Sequence, residues 1–153
     1  MDTRGLLSVL SDSVHTIPPK YLLAYDDPRR GGLYSGSSAG TNLTNFVRQA
    51  SKAKKPVIAV SLNYRLSAFG FLWGNTTEIL ANSSANNGLR DQRLALHWIQ
   101  ENIKYFGGDP SRVIIWGESS GALSVGKHLI AYGERNDGLF RGAIMESGSL
   151  VGK

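Results

Sequence analysis

The chain has 153 residues, 41% of them hydrophobic and 19% charged, with a formal charge of +5; this suits one globular domain with a core and excludes a disordered chain. There is no cysteine, which excludes disulfides, thiolate metal sites and thiol catalysis. The basic residues are scattered, with Lys52, Lys54 and Lys55 the tightest group beside the Arg29–Arg30 pair, so a solvated surface fits better than a nucleic-acid footprint and no nucleic-acid partner is expected.

In chain order, residues 1–20 are mixed and end in Pro18-Pro19, so no regular structure is expected there. The stretch MDTRGLLSVLSDS is too short and too polar-flanked for a signal peptide. No apolar run approaches the ~20 residues of a membrane span. Tyr21 to Tyr25 (YLLAY) reads as a short buried strand, followed by DDPRR and the glycine-rich GGLYSGSSAG. Thr41 to Lys54 puts Leu43, Phe46, Val47, Ala50 and Ala53 at helical spacing, with Thr41 as N-cap. Pro56 ends that helix, and PVIAVSLNY is β-branched enough for a buried strand.

SAFGFLWGNTTEILANSSANNG reads as a long Asn/Ser-rich connection. Leu89 to Phe106 carries Gln92, Leu96, Ile99, Ile103 and Phe106 on one face, an amphipathic helix capped by Gly107-Gly108 and stopped by Asp109-Pro110. Arg112 to Trp116 is the next strand, Ser120 to Tyr132 the next helix, and Gly142 to Glu146 a last short strand. This alternation predicts an α/β fold: a parallel sheet covered by helices, with right-handed crossovers. Three acceptor sequons, Asn42-Leu43-Thr44, Asn75-Thr76-Thr77 and Asn82-Ser83-Ser84, tilt the ancestry toward a secreted protein.

The stretch with chemical content is VIIWGESSGALSV, residues 113–125. Gly117, Glu118, Ser119, Ser120 and Gly121 fill G-x-S-x-G between a predicted strand and a predicted helix, the setting a nucleophile elbow requires. A tight strand-to-helix turn strains the serine backbone and is tolerable only where the residues two before and two after are small. The helix N-terminus then directs its positive end at the same spot. The competing reading is an ordinary tight turn with the serine as a buried helix cap, and periodicity alone leaves both open.

NYRLSAFGFL, NNGLRDQRLALHWIQENIKYFGGDPSRVIIWGESSGALSV and GLFRGAIMESGS together resemble the type-B carboxylesterase/lipase family, which includes the cholinesterases, over about residues 31 to 150. The resemblance implies an α/β-hydrolase fold, present in part and ending after the strand that follows the nucleophile helix. It divides the chain into an unmatched segment 1–28 and a partial domain 29–153. It implies hydrolysis of a small carboxylic ester through an acyl-enzyme by a serine, an acidic residue and a histidine, with no metal and no cofactor. Ser119 is then the nucleophile, and the Ser120 amide belongs to the oxyanion hole, its hydroxyl tolerated where most relatives have alanine. Gly31 and Gly32 match the two glycines that complete that hole, and Glu118 is a buried supporting neighbour. Around those glycines, Arg30 replaces the family's first glycine, Arg29 its His or Tyr, and Leu33 its aromatic.

In this fold the order is Ser, then Asp or Glu, then His. After Ser119 the acids are Glu134, Asp137 and Glu146, and the only later histidine, His128, precedes all three. At nine helical residues from Ser119 it is about 13 Å away, so His128 is expected on the helix surface. His97 is expected to be a packing or surface residue, and His15 has no supporting pattern. The chain is thus expected to carry a nucleophile and most of an oxyanion hole without a general base, and to be inactive alone. The other reading is a non-catalytic relative or gene-fragment product serving as a binding or adhesion module, which the altered 29–33 segment favours and the intact GESSG disfavours. Tyr64-Arg65 and Asp91-Gln92-Arg93 are expected to hold loops by charge-assisted hydrogen bonds, and Trp73, Trp98 and Trp116 to pack in the core or at its rim.

Overall fold

The structure, a computed structural model, describes residues 7–11, 21–26, 32–38, 42–72, 74, 76–81 and 85–149. Its strands are β1 (Leu7–Ser11), β2 (Tyr21–Asp26), β3 (Val57–Leu62), β4 (Val113–Glu118) and β5 (Gly142–Glu146). They form one sheet in the order β1-β3-β2-β4-β5. β3, β2, β4 and β5 run parallel, and β1 pairs antiparallel with β3 at one edge. Helices α1 (Thr44–Lys52), α2 (Ser67–Phe71), α3 (Thr76–Ala81), α4 (Asn87–Asn102) and α5 (Ser120–Glu134) complete the described elements, with short 3₁₀ turns at Ile103–Phe106 and Pro110–Arg112.

The continuous apolar run of β3 is buried because both of its faces are covered. On one face Ile58, Val60 and Leu62 pack with Leu96 and Ile99 of α4, Val125 of α5 and Val113 and Ile115 of β4. On the other, Ala59 meets Leu43 and Val47 beside α1, with Trp116 against them. Alternation along each strand thus sorts its side chains between two helical layers. Trp116 also meets the Phe46 ring at 5.6 Å and Trp98 the Phe106 ring at 6.0 Å, both as packing residues; Trp73 lies outside the described residues.

Several expectations change. Leu7–Ser11 is a strand, where residues 1–20 were expected to lack regular structure. Its five residues give too short a pattern to register as a strand, and its pairing with β3 through backbone bonds supplies what local propensity lacks. The Asn/Ser-rich connection contains α2 and α3. α1 begins at Thr44 rather than Thr41, which lies outside the described residues, and Phe46 and Ala53 are exposed. Phe106 is also exposed, because the chain leaves α-helical geometry at Ile103 and turns through a 3₁₀ segment to Gly107, whose φ is +82°.

Two charged motifs do hold loops. The Arg65 guanidinium donates twice to the Asp91 carboxylate at 2.7 Å, and the Arg65 backbone N–H donates to the same group at 3.1 Å. This joins the start of α2 to α4. Burial raises the Asp91 carboxyl, but the Arg65 side-chain and backbone hydrogen bonds and its charge outweigh that and leave it below the usual carboxylate range. Arg93 pairs with Asp137 and stacks 4.5 Å above the Tyr132 ring.

Because the Arg65 side chain is half exposed, the Asp91 pair stabilises only modestly. Asp91→Asn should lower stability by about 1 kcal/mol at neutral pH. A carboxylate whose folded pKa is depressed contributes above its unfolded pKa and loses that contribution as pH falls through the folded one. Urea midpoints of variant and wild type should therefore differ at pH 7 and converge below about pH 3.9.

Candidate active site

Between β4 and α5 the backbone turns within one residue. Ser119 has φ +52° and ψ −113°, a strained conformation for a residue with a Cβ. Gly117 makes the turn possible: a Cβ there would lie 2.3 Å from both the carbonyl carbon and the oxygen of Gly121. Gly148 closes the other side, where a Cβ would lie 2.8 Å from the Ser119 carbonyl oxygen and from the Ala122 Cβ. The Ser119 N–H donates to the Glu146 carbonyl of β5 at 2.8 Å, and the Ser119 carbonyl accepts from the Leu123 N–H at 3.1 Å. Backbone contacts on both sides thus fix the bend, leaving the Ser119 side chain exposed.

Ser120 is the first residue of α5. Amides in the first turn have no partner within the helix and carry its partial positive charge, so the Ser120 N–H has no intrahelical acceptor. The Ser120 side chain is only 5% exposed, and its Oγ has no hydrogen-bond partner among the described residues. Glu118, half-buried, ends β4 in register with Glu146.

Because β2, β3, β4 and β5 are parallel, the segments following them leave the same edge of the sheet. Asp26, the last residue of β2, is in register with Gly117. The loop beyond β2 is held at that edge: the Leu33 carbonyl accepts from the Ser67 N–H and the Asn63 side-chain oxygen from the Ser38 N–H, both at 2.8 Å. Gly32, at φ +68°, occupies backbone space that favours glycine. Gly31 lies outside the described residues.

His128 is buried, 6% exposed, which corrects its expected place on the helix surface. Its Nε2 lies 2.9 Å from Gln92 Oε1, while Gln92 Nε2 donates to Ser124 Oγ at 3.2 Å. With the amide so oriented, the imidazole Nε2–H donates and Gln92 accepts. Burial first, and the Arg93 charge second, push the His128 pKa down to about 4, so the ring is neutral. Gln92, Ser124 and His128 help line a cavity of about 30 Å³ with Leu62, Leu96 and Ile115. That is room enough for a water molecule and too little for an ester. Among the described residues no imidazole hydrogen-bonds Ser119; His97 is exposed on α4 and His15 lies outside them.

The sequence model of the Carboxylesterase family matches residues 30–153. The chain belongs to that family. It is 50% identical over 125 residues to "Secreted lipase 1" of Botryotinia fuckeliana, covering 79% of this chain and 21% of the relative. It is 48% identical over 120 residues to "Acetylcholinesterase 4" of Caenorhabditis briggsae, covering 78% and 18%. A solved structure, EstA of Aspergillus niger, superposes with a TM-score of 0.74 at 39% identity, covering 91% of this chain and 26% of that one. The fold is therefore part of the α/β-hydrolase fold, and the chain spans about a fifth of the length of the curated relatives it matches.

In this member of the family Ser119, Ser120 and Glu118 sit on the strand-to-helix turn itself, while Gly32 lies in a separate loop fastened to the segment after β3. Glu146 and Gly148 support the turn at Ser119 without a local sign of it in the sequence. GLFRGAIMESGS contained both, but their roles depend on β5 lying beside β4. Gln92 lies on the packed face of α4 as its spacing predicts, and its partner there is His128.

A buried hydroxyl without a partner costs about 1–3 kcal/mol, so Ser120→Ala should raise stability by about 1–2 kcal/mol, read as a higher urea midpoint. His128 gives a pH signature of the same sign as Asp91 but in a higher pH window. Its folded pKa lies below the ordinary value of about 6.5, so the unfolded chain binds the extra proton between pH 6.5 and 4. Stability should fall on acidification across that window by about 3 kcal/mol, and His128→Gln should flatten the decline. A decline of unchanged slope in the variant would assign it to other groups.

Proposed function

We propose that this chain carries the acyl-accepting part of a carboxylic ester hydrolase site, with Ser119 as nucleophile. The observation that carries the reading is the strained, exposed Ser119 on a turn whose flanking glycines touch backbone on either side. Such strain persists only where the surrounding structure enforces it, and it clusters at working sites. Membership of a family whose named relatives include lipases and acetylcholinesterases supports a carboxylic ester as the substrate class.

In this reading the Ser119 oxygen attacks the ester carbonyl as a base removes its proton. The carbonyl oxygen becomes an oxyanion held by the amides of Ser120, Gly31 and Gly32. Collapse breaks the ester C–O bond, the alcohol leaves with the proton, and water later releases the acid from the acyl-serine. Glu118 braces the elbow from the end of β4. His128 does not serve as the base: its Nε2 hydrogen is committed to Gln92, and a pKa of about 4 is poorly matched to proton transfer at neutral pH. The base remains unassigned among the described residues, so residues 1–153 alone should turn over esters negligibly.

A fluorophosphonate probe and a p-nitrophenyl acyl ester test both parts. At its full encoded length the protein should be labelled at Ser119, and Ser119→Ala should abolish labelling and lower kcat by on the order of 10⁶-fold. Labelling at another residue would overturn the nucleophile assignment. Robust turnover by residues 1–153, lost in Ser119→Ala, would overturn the claim that they lack a working base.

A further inference from the structure

We infer that Asn42 is an N-glycosylation site. The sequon Asn42-Leu43-Thr44 lies immediately before α1, and its three side chains divide by environment. Leu43 is buried against Val47 and Ala59, while Asn42 and Thr44 are exposed. The middle residue thus anchors the segment, and the two residues that define an acceptor face solvent.

The two ends of the Asn42 amide have separate roles. Oδ1 accepts a hydrogen bond from the Thr44 N–H at 3.0 Å, an Asx-turn that satisfies one of the unpartnered amides at the start of α1. Leu43, the N-cap residue by backbone position, supplies no side-chain cap, so Asn42 does that work from one residue earlier. Nδ2 makes no hydrogen bond among the described residues. Glycosylation forms a bond between Nδ2 and the sugar C1 and breaks the C1–O bond of a lipid-linked oligosaccharide pyrophosphate. Nδ2 loses one proton, and the lipid pyrophosphate leaves with the bonding electron pair. The amide carbonyl survives, so the glycan and the helix cap coexist on one side chain. Asn75 and Asn82, the other two acceptors, lie outside the described residues.

The test is production of the protein at its full encoded length in a eukaryotic host behind a secretion leader, followed by amidase removal of N-glycans in heavy-oxygen water. The peptide containing residue 42 should carry the heavy-oxygen aspartate that marks a former glycan in most copies. Thr44→Ser should retain it; Thr44→Ala and Asn42→Asp should lose it. Asn42→Asp keeps the capping oxygen, so its loss of glycan without loss of secretion would separate acceptor chemistry from folding. Recovery of wild-type protein with residue 42 unmodified, whether or not Asn75 or Asn82 carries a glycan, would overturn the inference. The wild-type peptide decides even if a variant fails to fold, and the outcome is independent of ester hydrolysis.

Discussion

The end of β4 touches the first turn of α5 at Gly117, so closely that a single added carbon would fall 2.3 Å from the Gly121 carbonyl. This approach removes the space a relaxed turn would need and leaves Ser119 as the residue that absorbs the reversal. Two further backbone bonds hold the turn, from Ser119 N–H to β5 and from the Leu123 N–H back to Ser119. The bend is thus shared by β4, α5 and β5, the elements that build this edge of the sheet. A serine in an unsupported loop would relax out of positive φ; here relaxation requires moving a strand.

The parallel sheet sends the segments that follow β2 and β3 out at the same end as that bend. Loops after β2 and β3 emerge beside the elbow because those strands run with β4, and binding sites in open α/β sheets collect at such carboxyl ends. Asn63 and Ser67 then fasten the loop bearing Gly32 to the segment following β3. The clamp between Arg65 and Asp91 fixes that segment to α4. A polar chain of contacts thus runs from the glycine loop to α4, while Gln92 on the same helix reaches Ser124 on α5.

Much of this was legible in the sequence, and the boundary of legibility is physical. Val57–Leu62 and Gly142–Glu146 announce themselves as strands because apolar or β-branched runs lie between sharp punctuation. Ser119 is legible because its turn requires small neighbours at fixed offsets. β1 was not, since its existence depends on β3 accepting an antiparallel partner from distant sequence. The burial of His128 was missed for a related reason: helical spacing places it nine residues beyond Ser119 but does not reveal which helix covers that face. Gln92 sits on the packed face of α4, and a polar residue there demands a buried partner. That demand, followed through, is the one signal that pointed toward His128.

The buried imidazole also shows how position along a helix separates two roles that composition would merge. A histidine downstream of a nucleophilic serine invites assignment as its base. Yet His128 lies where burial and the Arg93 charge both oppose a positive ring, and its Nε2 hydrogen completes the amide of Gln92. Protonation would place a second cation beside Arg93 and change the hydrogen-bonding roles of the ring. The cluster is therefore most stable neutral, as a polar spacer between α4 and α5, and its geometry resists the charge cycling that general-base catalysis requires. Holding the helix that carries the elbow and accepting a proton from it are opposed demands on one imidazole, and the packing around His128 meets the first.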